Sequence, residues 1–197
     1  MDLFEEAYEE VMGHEGGYGN DASDPGGETY KGVARNRWKN WPGWSIIDKH
    51  KVGLSSTKEL NAVLAQDITL QKHIRDFYRE HFWDEIWGDE LAKLSEPVAK
   101  DMFDMAVNLG TGRATQFLQR AANSLNNRQL LYPDILVDGS FGTKTMQAVK
   151  SCIKSRDENL LYKAINILQG AWYLELMEGN EKFEKYIGWF NRVEFIS

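Results

Sequence analysis

The chain is poor in several things that would each settle a question. It has one cysteine, Cys152, so an intrachain disulfide and a cysteine metal cluster are both excluded. Cys152 lies in the apolar-spaced run Met146, Val149, Cys152, Ile153 and reads as a small buried hydrophobe. No stretch reaches the roughly 18 apolar residues that a membrane-spanning helix needs, so no membrane insertion is expected. The first residues, Met-Asp-Leu-Phe-Glu-Glu, have neither a basic region nor an apolar run. They therefore carry no visible export signal. Synthesis in the cytoplasm is the plain expectation, and any target at the cell wall or periplasm would then require holin-type release or another export route. Positive charge is also short: 23 Lys and Arg face 30 Asp and Glu, a net charge of −7. A general nucleic-acid binder needs a basic face, so that partner class is not expected.

The four histidines, His14, His50, His73 and His81, show no metal-ligand spacing. Neither a phosphate loop, a dinucleotide fingerprint nor a Gly-x-Ser-x-Gly elbow occurs. No metal and no cofactor are expected.

Aromatic residues and glycine are plentiful. Seven Trp in 197 residues is high, and flat rings suit both a core and the apolar faces of sugars. Residues 15 to 29 read Glu-Gly-Gly-Tyr-Gly-Asn-Asp-Ala-Ser-Asp-Pro-Gly-Gly-Glu-Thr. Phe4, Tyr8, Val11 and Met12 share one face of a helix running from Asp2 to about Met12, with Asp2 and Glu5 at capping-box spacing. Glu15 follows just beyond that helix, among residues without bulk. Partial burial there would keep a carboxyl protonated near neutrality, as a general acid requires. A glycosidase also needs a second group across the sugar, at 6.5–9.5 Å if the reaction inverts. Asp24, Asp21 and Thr29 are the candidates, and Glu28 is a further acid in the same stretch. Asn-Asp and Asp-Pro are also ordinary turn initiators.

Downstream, Lys31, Arg35, Arg37 and Lys39 form a local basic stretch, suited to the carboxylates of an anionic glycan or peptide. Trp38, Trp41 and Trp44 fall together around a proline–glycine pair, with at least one expected to line a cleft. Residues 37 to 55 read as irregular. Helices then follow. Ser56 and Glu59 form a capping box for one long helix or two. Ser95-Glu96-Pro97 starts a helix and Gly110 stops it. Further helices are expected from about 117, near 143–154 and near 158–177. The tail keeps Tyr186, Trp189, Phe190 and Phe195 and is expected to dock. The softest boundary lies near Leu94 to Pro97.

The motif Glu15-Gly16-Gly17-Tyr18, Asn20-Asp21, Asp24-Pro25-Gly26-Gly27, Thr29, Gly32 resembles the signature of glycoside hydrolase family 108. Phe103 to Gly110, Phe117 to Ala121, Asp138 to Thr145 and Gly188 to Val193 resemble later parts of the same family. The resemblance implies an N-acetylmuramidase of the lysozyme-like superfamily, of the kind found in phage and prophage lysis modules (endolysins) and also labelled secretion activators. It implies a mainly α (α+β) lysozyme-like fold with a small β-hairpin region near Glu15. Residues 1–95 would be the catalytic region. Residues 96–197 would be a helical peptidoglycan-binding region packed into the same globule. Glu15 takes the position of the catalytic acid, and the order Glu, Asp, Thr seen in phage lysozymes maps to Glu15, Asp24 and Thr29. Tyr18, Asn20, Asp21, Arg35, Trp38, Trp41 and Trp44 are the expected substrate-binding residues. Glu28 stands where a small residue is common, which leaves the second catalytic group open among Asp24, Asp21 and Glu28. The expected partner is the glycan strand of peptidoglycan, met by a monomer. A lytic transglycosylase, a chitinase-like glycosidase and a non-catalytic wall-binding module are the alternatives.

Overall fold

The structure, a computed structural model, describes residues 2–13, 15–21, 26–54 and 56–193. It is mainly α-helical with one small antiparallel sheet, as expected of a lysozyme-like fold. The chain divides into two compact units, Met1–His81 and Phe82–Ser197.

The first unit begins with α1 (Leu3–Met12), which buries Phe4, Ala7, Tyr8 and Val11. Asp2 stands at its N-cap but makes no side-chain cap there; its carboxylate instead pairs with Arg79 at 3.1 Å. The capping box expected from Asp2 and Glu5 is thus replaced by a long-range ion pair. Three short strands follow, β1 (Tyr18–Asn20), β2 (Glu28–Tyr30) and β3 (Val33–Ala34), in the order β1-β2-β3.

Residues 43–51 correct an expectation. The stretch read as irregular contains α2 (Gly43–Lys51). Pro42 and Gly43 look like breakers, yet Pro42 sits at the N-cap, where its missing N–H costs nothing. Gly43 lies under the Trp41 ring, where a Cβ would collide. Trp44 and Ile47, one turn apart, then bury the inner face. The two-helix alternative holds for the next stretch. Ser56 caps α3 (Thr57–Gln66) through the Glu59 N–H at 3.2 Å. Asp67 ends α3 and caps α4 (Ile68–Tyr78) through the Leu70 N–H at 2.9 Å. A single π turn, Arg79–Trp83, continues from α4.

The second unit contains α5 (Gly88–Ala92), α6 (Glu96–Leu109), α7 (Thr111–Leu125), α8 (Thr143–Ser155) and α9 (Glu158–Gly179), then a 3-10 segment, Glu181–Arg192. Its core holds Trp83, Phe103, Phe117, Leu118, Leu161 and Ile165, all at or near zero exposure. Ser95 caps α6 and Gly110, at φ +86°, ends it. The Asp138–Thr145 motif is a fold clamp. The buried Gln119 amide donates to Asp138 at 3.0 Å and to Thr145 at 3.1 Å, and its carbonyl accepts from the Gly139 N–H at 3.0 Å. Cys152 is fully buried. The tail docks as far as Val193: Trp189 packs on Tyr173 at 5.3 Å between ring centroids, and Val193 lies against Gly170. Arg192 pairs with Asp104. Phe195 lies outside the described residues.

Candidate active site

Glu15 is placed by a helix end and a hairpin turn. α1 is anchored through its buried face, and its last turn closes with the Gly13 N–H donating to the Glu9 carbonyl at 3.0 Å. The Glu15 N–H then donates to the Met12 carbonyl at 3.3 Å, which turns the chain and leaves the side chain half-buried. Its carboxyl comes to rest beside Gly32.

Gly32 sits in the two-residue turn between β2 and β3. Tyr30 and Val33 pair across it, and Lys31 and Gly32 have φ values of +43° and +75°. Two successive positive values define the primed hairpin turn, whose twist matches the flanking strands. Lys31 adopts that conformation without glycine's freedom, and its Nζ donates to Gln71 Oε1 at 3.0 Å. Burial lowers the pKa of this ammonium. Gly32 has a second reason to be glycine: a Cβ there would lie 2.9 Å from Glu15 Oε2 and would collide with the Tyr78 hydroxyl. Tyr78 is buried and donates its O–H to the Lys31 carbonyl at 2.9 Å. Burial, then the charge of Glu15, then Tyr8 push its pKa far above the ordinary tyrosine range. Tyr78 is therefore a neutral hydroxyl at any working pH.

The sheet has two chemically different faces. Register pairs Tyr18 with Tyr30 and Asn20 with Glu28, and Gly19 with Thr29 on the other face. The Tyr18–Glu28–Tyr30 face packs on the helices. The Tyr18 N–H donates to Asn61 at 2.7 Å, and Gln71 donates to the Tyr30 hydroxyl at 3.2 Å. Glu28 is enclosed there by Tyr18, whose hydroxyl donates at 2.5 Å, and by ion pairs to Arg35 and Lys51. Burial opposes its charge, but the hydrogen bonds from Lys51 and Tyr18 and the charge of Arg35 outweigh it. Its pKa is held below the ordinary glutamate value. Such a carboxylate is a structural anion, unsuited to donating a proton. Thr29 is on the opposite, small-residue face, with its Oγ1 against Gly19.

The remaining candidates scatter. Asn20 and Asp21 are exposed. Asp24 lies outside the described residues. Arg35 is occupied: it bridges Glu28 and Asp48, the latter at 2.6 Å, and stacks 4.7 Å from the Trp44 ring. Trp44 is 3% exposed and donates its Nε1–H to the Trp38 carbonyl at 2.9 Å, so it is core. Trp38 and Trp41 instead border a cavity of about 660 Å³, together with Phe77 and His81. Sequence reasoning missed Tyr78, Lys51 and Gln71 as site residues. Tyr78 carries only the signal of a helical apolar stripe, and Lys51 sits in a helix that looked like loop.

A half-buried carboxyl at a glycine turn, beside a buried tyrosine hydroxyl, can deliver a proton to a ligand that reaches it. Residues 8–110 match the family described as Glycosyl hydrolase 108, and residues 113–194 match the one described as "Predicted Peptidoglycan domain". Among solved structures, that titled "Structure of Brucella abortus SagA" is similar, at 27% identity and a TM-score of 0.59. The alignment covers 96% of this chain and 88% of that one. A comparison with curated proteins returned no match.

Proposed function

The chain belongs to the glycosyl hydrolase 108 family and carries a peptidoglycan module beside it, and from that premise we propose that this peptidoglycan hydrolase is an N-acetylmuramidase. Glu15 protonates the glycosidic oxygen between N-acetylmuramic acid and N-acetylglucosamine. Asp24 and Thr29 hold the water that attacks from the far side of the sugar. The observation that carries this reading is the seating of the Glu15 carboxyl against Gly32 beside the neutral Tyr78 hydroxyl.

The contrast with Glu28 supports the assignment of roles. Two carboxyls share one small region, and their environments differ. One is caged by two cations on the helix-packed face. The other stands beside a buried tyrosine at a glycine turn. Pairs of this kind, with different surroundings, are how one fold separates a structural or charged carboxylate from an acid. Glu28 is therefore read as the anchor of Arg35 and Lys51, which leaves Asp24 and Asp21 as candidates for the water-directing carboxylate, and we take Asp24.

Digestion of purified peptidoglycan with wild-type and Glu15→Gln protein, followed by mass spectrometry, tests the reading. Wild type is expected to release muropeptides with a reducing N-acetylmuramic end. Glu15→Gln is expected to fold normally and lose at least ~100-fold in rate, within the range for general acid catalysis. Anhydro products would make the enzyme a transglycosylase instead. Cleavage of chitin oligomers in preference to peptidoglycan would point to a chitinase. Near-normal rates for Glu15→Gln would end the proposed mechanism.

A further inference from the structure

The cavity bordered by Trp38 and Trp41 is not used by the chemistry at Glu15. Its volume, about 660 Å³, is that of a typical small-ligand site. The aromatic wall is built from Trp38, stacked on His81 with centroids 4.3 Å apart, and Phe77, set edge-on to Trp38 at 5.0 Å. Arg37 and Lys39 stand along one border and Asp76 and Glu80 along the other.

The charges on the two borders are not equally occupied. Arg35, two residues before Arg37, spends its guanidinium on Glu28 and Asp48. Arg37 and Lys39 are exposed and form no ion pair with any described carboxylate. The Arg37 guanidinium lies 5.6 Å from the Trp38 ring centre, held over the aromatic wall. Opposite, Asp76 pairs with Lys72 at 2.5 Å, while Glu80 is exposed. In a chain of net charge −7, two neighbouring cations without a described carboxylate partner, Arg37 lying over the Trp38 ring, mark a place for carboxylates. Arginine binds these in bidentate geometry. The acidic border adds a place for an amino group.

The cleft is tied to the reaction centre. The Arg35 N–H donates to the Glu28 carbonyl at 2.8 Å and the Asn36 N–H to the Gly26 carbonyl at 3.0 Å, so the Arg37 loop is bonded to the strand that carries Thr29. In the last turn of α4, Phe77 forms the cleft wall while Tyr78 reaches the Lys31–Gly32 turn.

We propose that this cleft is a second substrate site, which takes the short peptide carried by muramic acid, with its free carboxylates on Arg37 and Lys39 and its amino group towards Glu80. The proposal rests on the reading of the chain as a peptidoglycan glycosidase and adds that the enzyme reads the peptide as well as the sugar.

The test compares two substrates: glycan strands bearing their peptides, and strands stripped by an amidase. The Arg37→Ala/Lys39→Ala double variant is expected to lose about tenfold in kcat/KM on the first, as befits two charge-assisted contacts, and to match wild type on the second. An Arg37→Lys/Lys39→Arg exchange should restore most of the loss. Equal rates for double variant and wild type on both substrates, or an equal fall on both, would overturn the proposal. Calorimetric titration with a soluble peptide of alanine, γ-linked glutamate and a diamino acid gives an independent reading. Binding to Glu15→Gln protein that disappears when Arg37 and Lys39 are also replaced supports the cleft, and no binding overturns it. Failure of wild type to cleave either substrate would sink the glycosidase reading, while the calorimetry would still decide the cleft.

Discussion

The carboxyl of Glu15 lies so close to the α-carbon of Gly32 that a methyl group there would sit 2.9 Å from Oε2. The acid is held by the absence of a side chain. Gly32→Ala is therefore expected to displace Glu15 and to strain the turn, since φ is +75°. The backbone penalty alone is roughly 1–2 kcal/mol. A fall in hydrolytic rate larger than that of an equally destabilised variant elsewhere, measured beside a thermal melt, is the expected result. A variant that melts lower but cleaves normally would show that the contact is irrelevant to chemistry.

Tyr78→Phe removes one hydroxyl and nothing else. It deletes the hydrogen bond to the Lys31 carbonyl and should cost about 1 kcal/mol of stability, the usual size for such a bond. The turn that seats Glu15 loses its brace, so kcat should drop several-fold. Burial and the charge of Glu15 keep the hydroxyl neutral, so its removal should alter the size of the pH–rate profile and add no new limb. A new alkaline limb would show that Tyr78 titrates in the working range.

Glu28 gives a prediction about acid stability. Its folded pKa lies below the ordinary value of 4.5, so the ionised form is favoured by folding. That contribution is complete above the ordinary value and is lost as pH falls through the lowered folded one. Glu28→Gln should destabilise the protein at pH 7 by roughly 1–2 kcal/mol, the order for charged hydrogen bonds with partly exposed partners. Denaturant melts of the two proteins should converge below about pH 4.5. Hydrolysis by the variant at moderate temperature should stay within a few-fold of wild type. Loss comparable to Glu15→Gln would move the second catalytic role to Glu28.

Local signals in the chain were readable where they act locally. Ser95, Pro97 and Gly110 bound α6 because capping and stopping depend on a few neighbouring backbone groups. The position of Glu15 at the end of α1 was legible because that helix end and the glycines after it are adjacent in sequence. The helix at Gly43–Lys51 was not, since Pro42 and Gly43 act as breakers until the rings of Trp41 and Trp44 are packed. Tyr78 is 47 residues from its hydrogen-bond partner and Lys51 is 23 from Glu28. Their roles come from tertiary packing, which no spacing rule reports. Of the three clustered tryptophans, Trp44 is core and the other two border the cleft, a distinction decided by the turn of α2 and not by residue type.

Cys152 offers a simple probe of the second unit. It is fully buried, and burial pushes its thiol above the ordinary range. A thiol reagent should label it only on unfolding, so the labelling rate against denaturant should track the global melt. Rapid labelling of native protein would contradict the packing of α8.

The β2–β3 turn closes over two residues, and the whole sheet spans 17 positions, Tyr18 to Ala34. Contacts of such short separation form early in folding, whereas distant ones wait for loop closure. The hydroxyl that braces the turn arrives only with Tyr78. A chain growing on the ribosome can therefore shape the hairpin long before it can hold Glu15 against it. A chain cut before α4 lacks the Tyr78 hydroxyl that braces this turn.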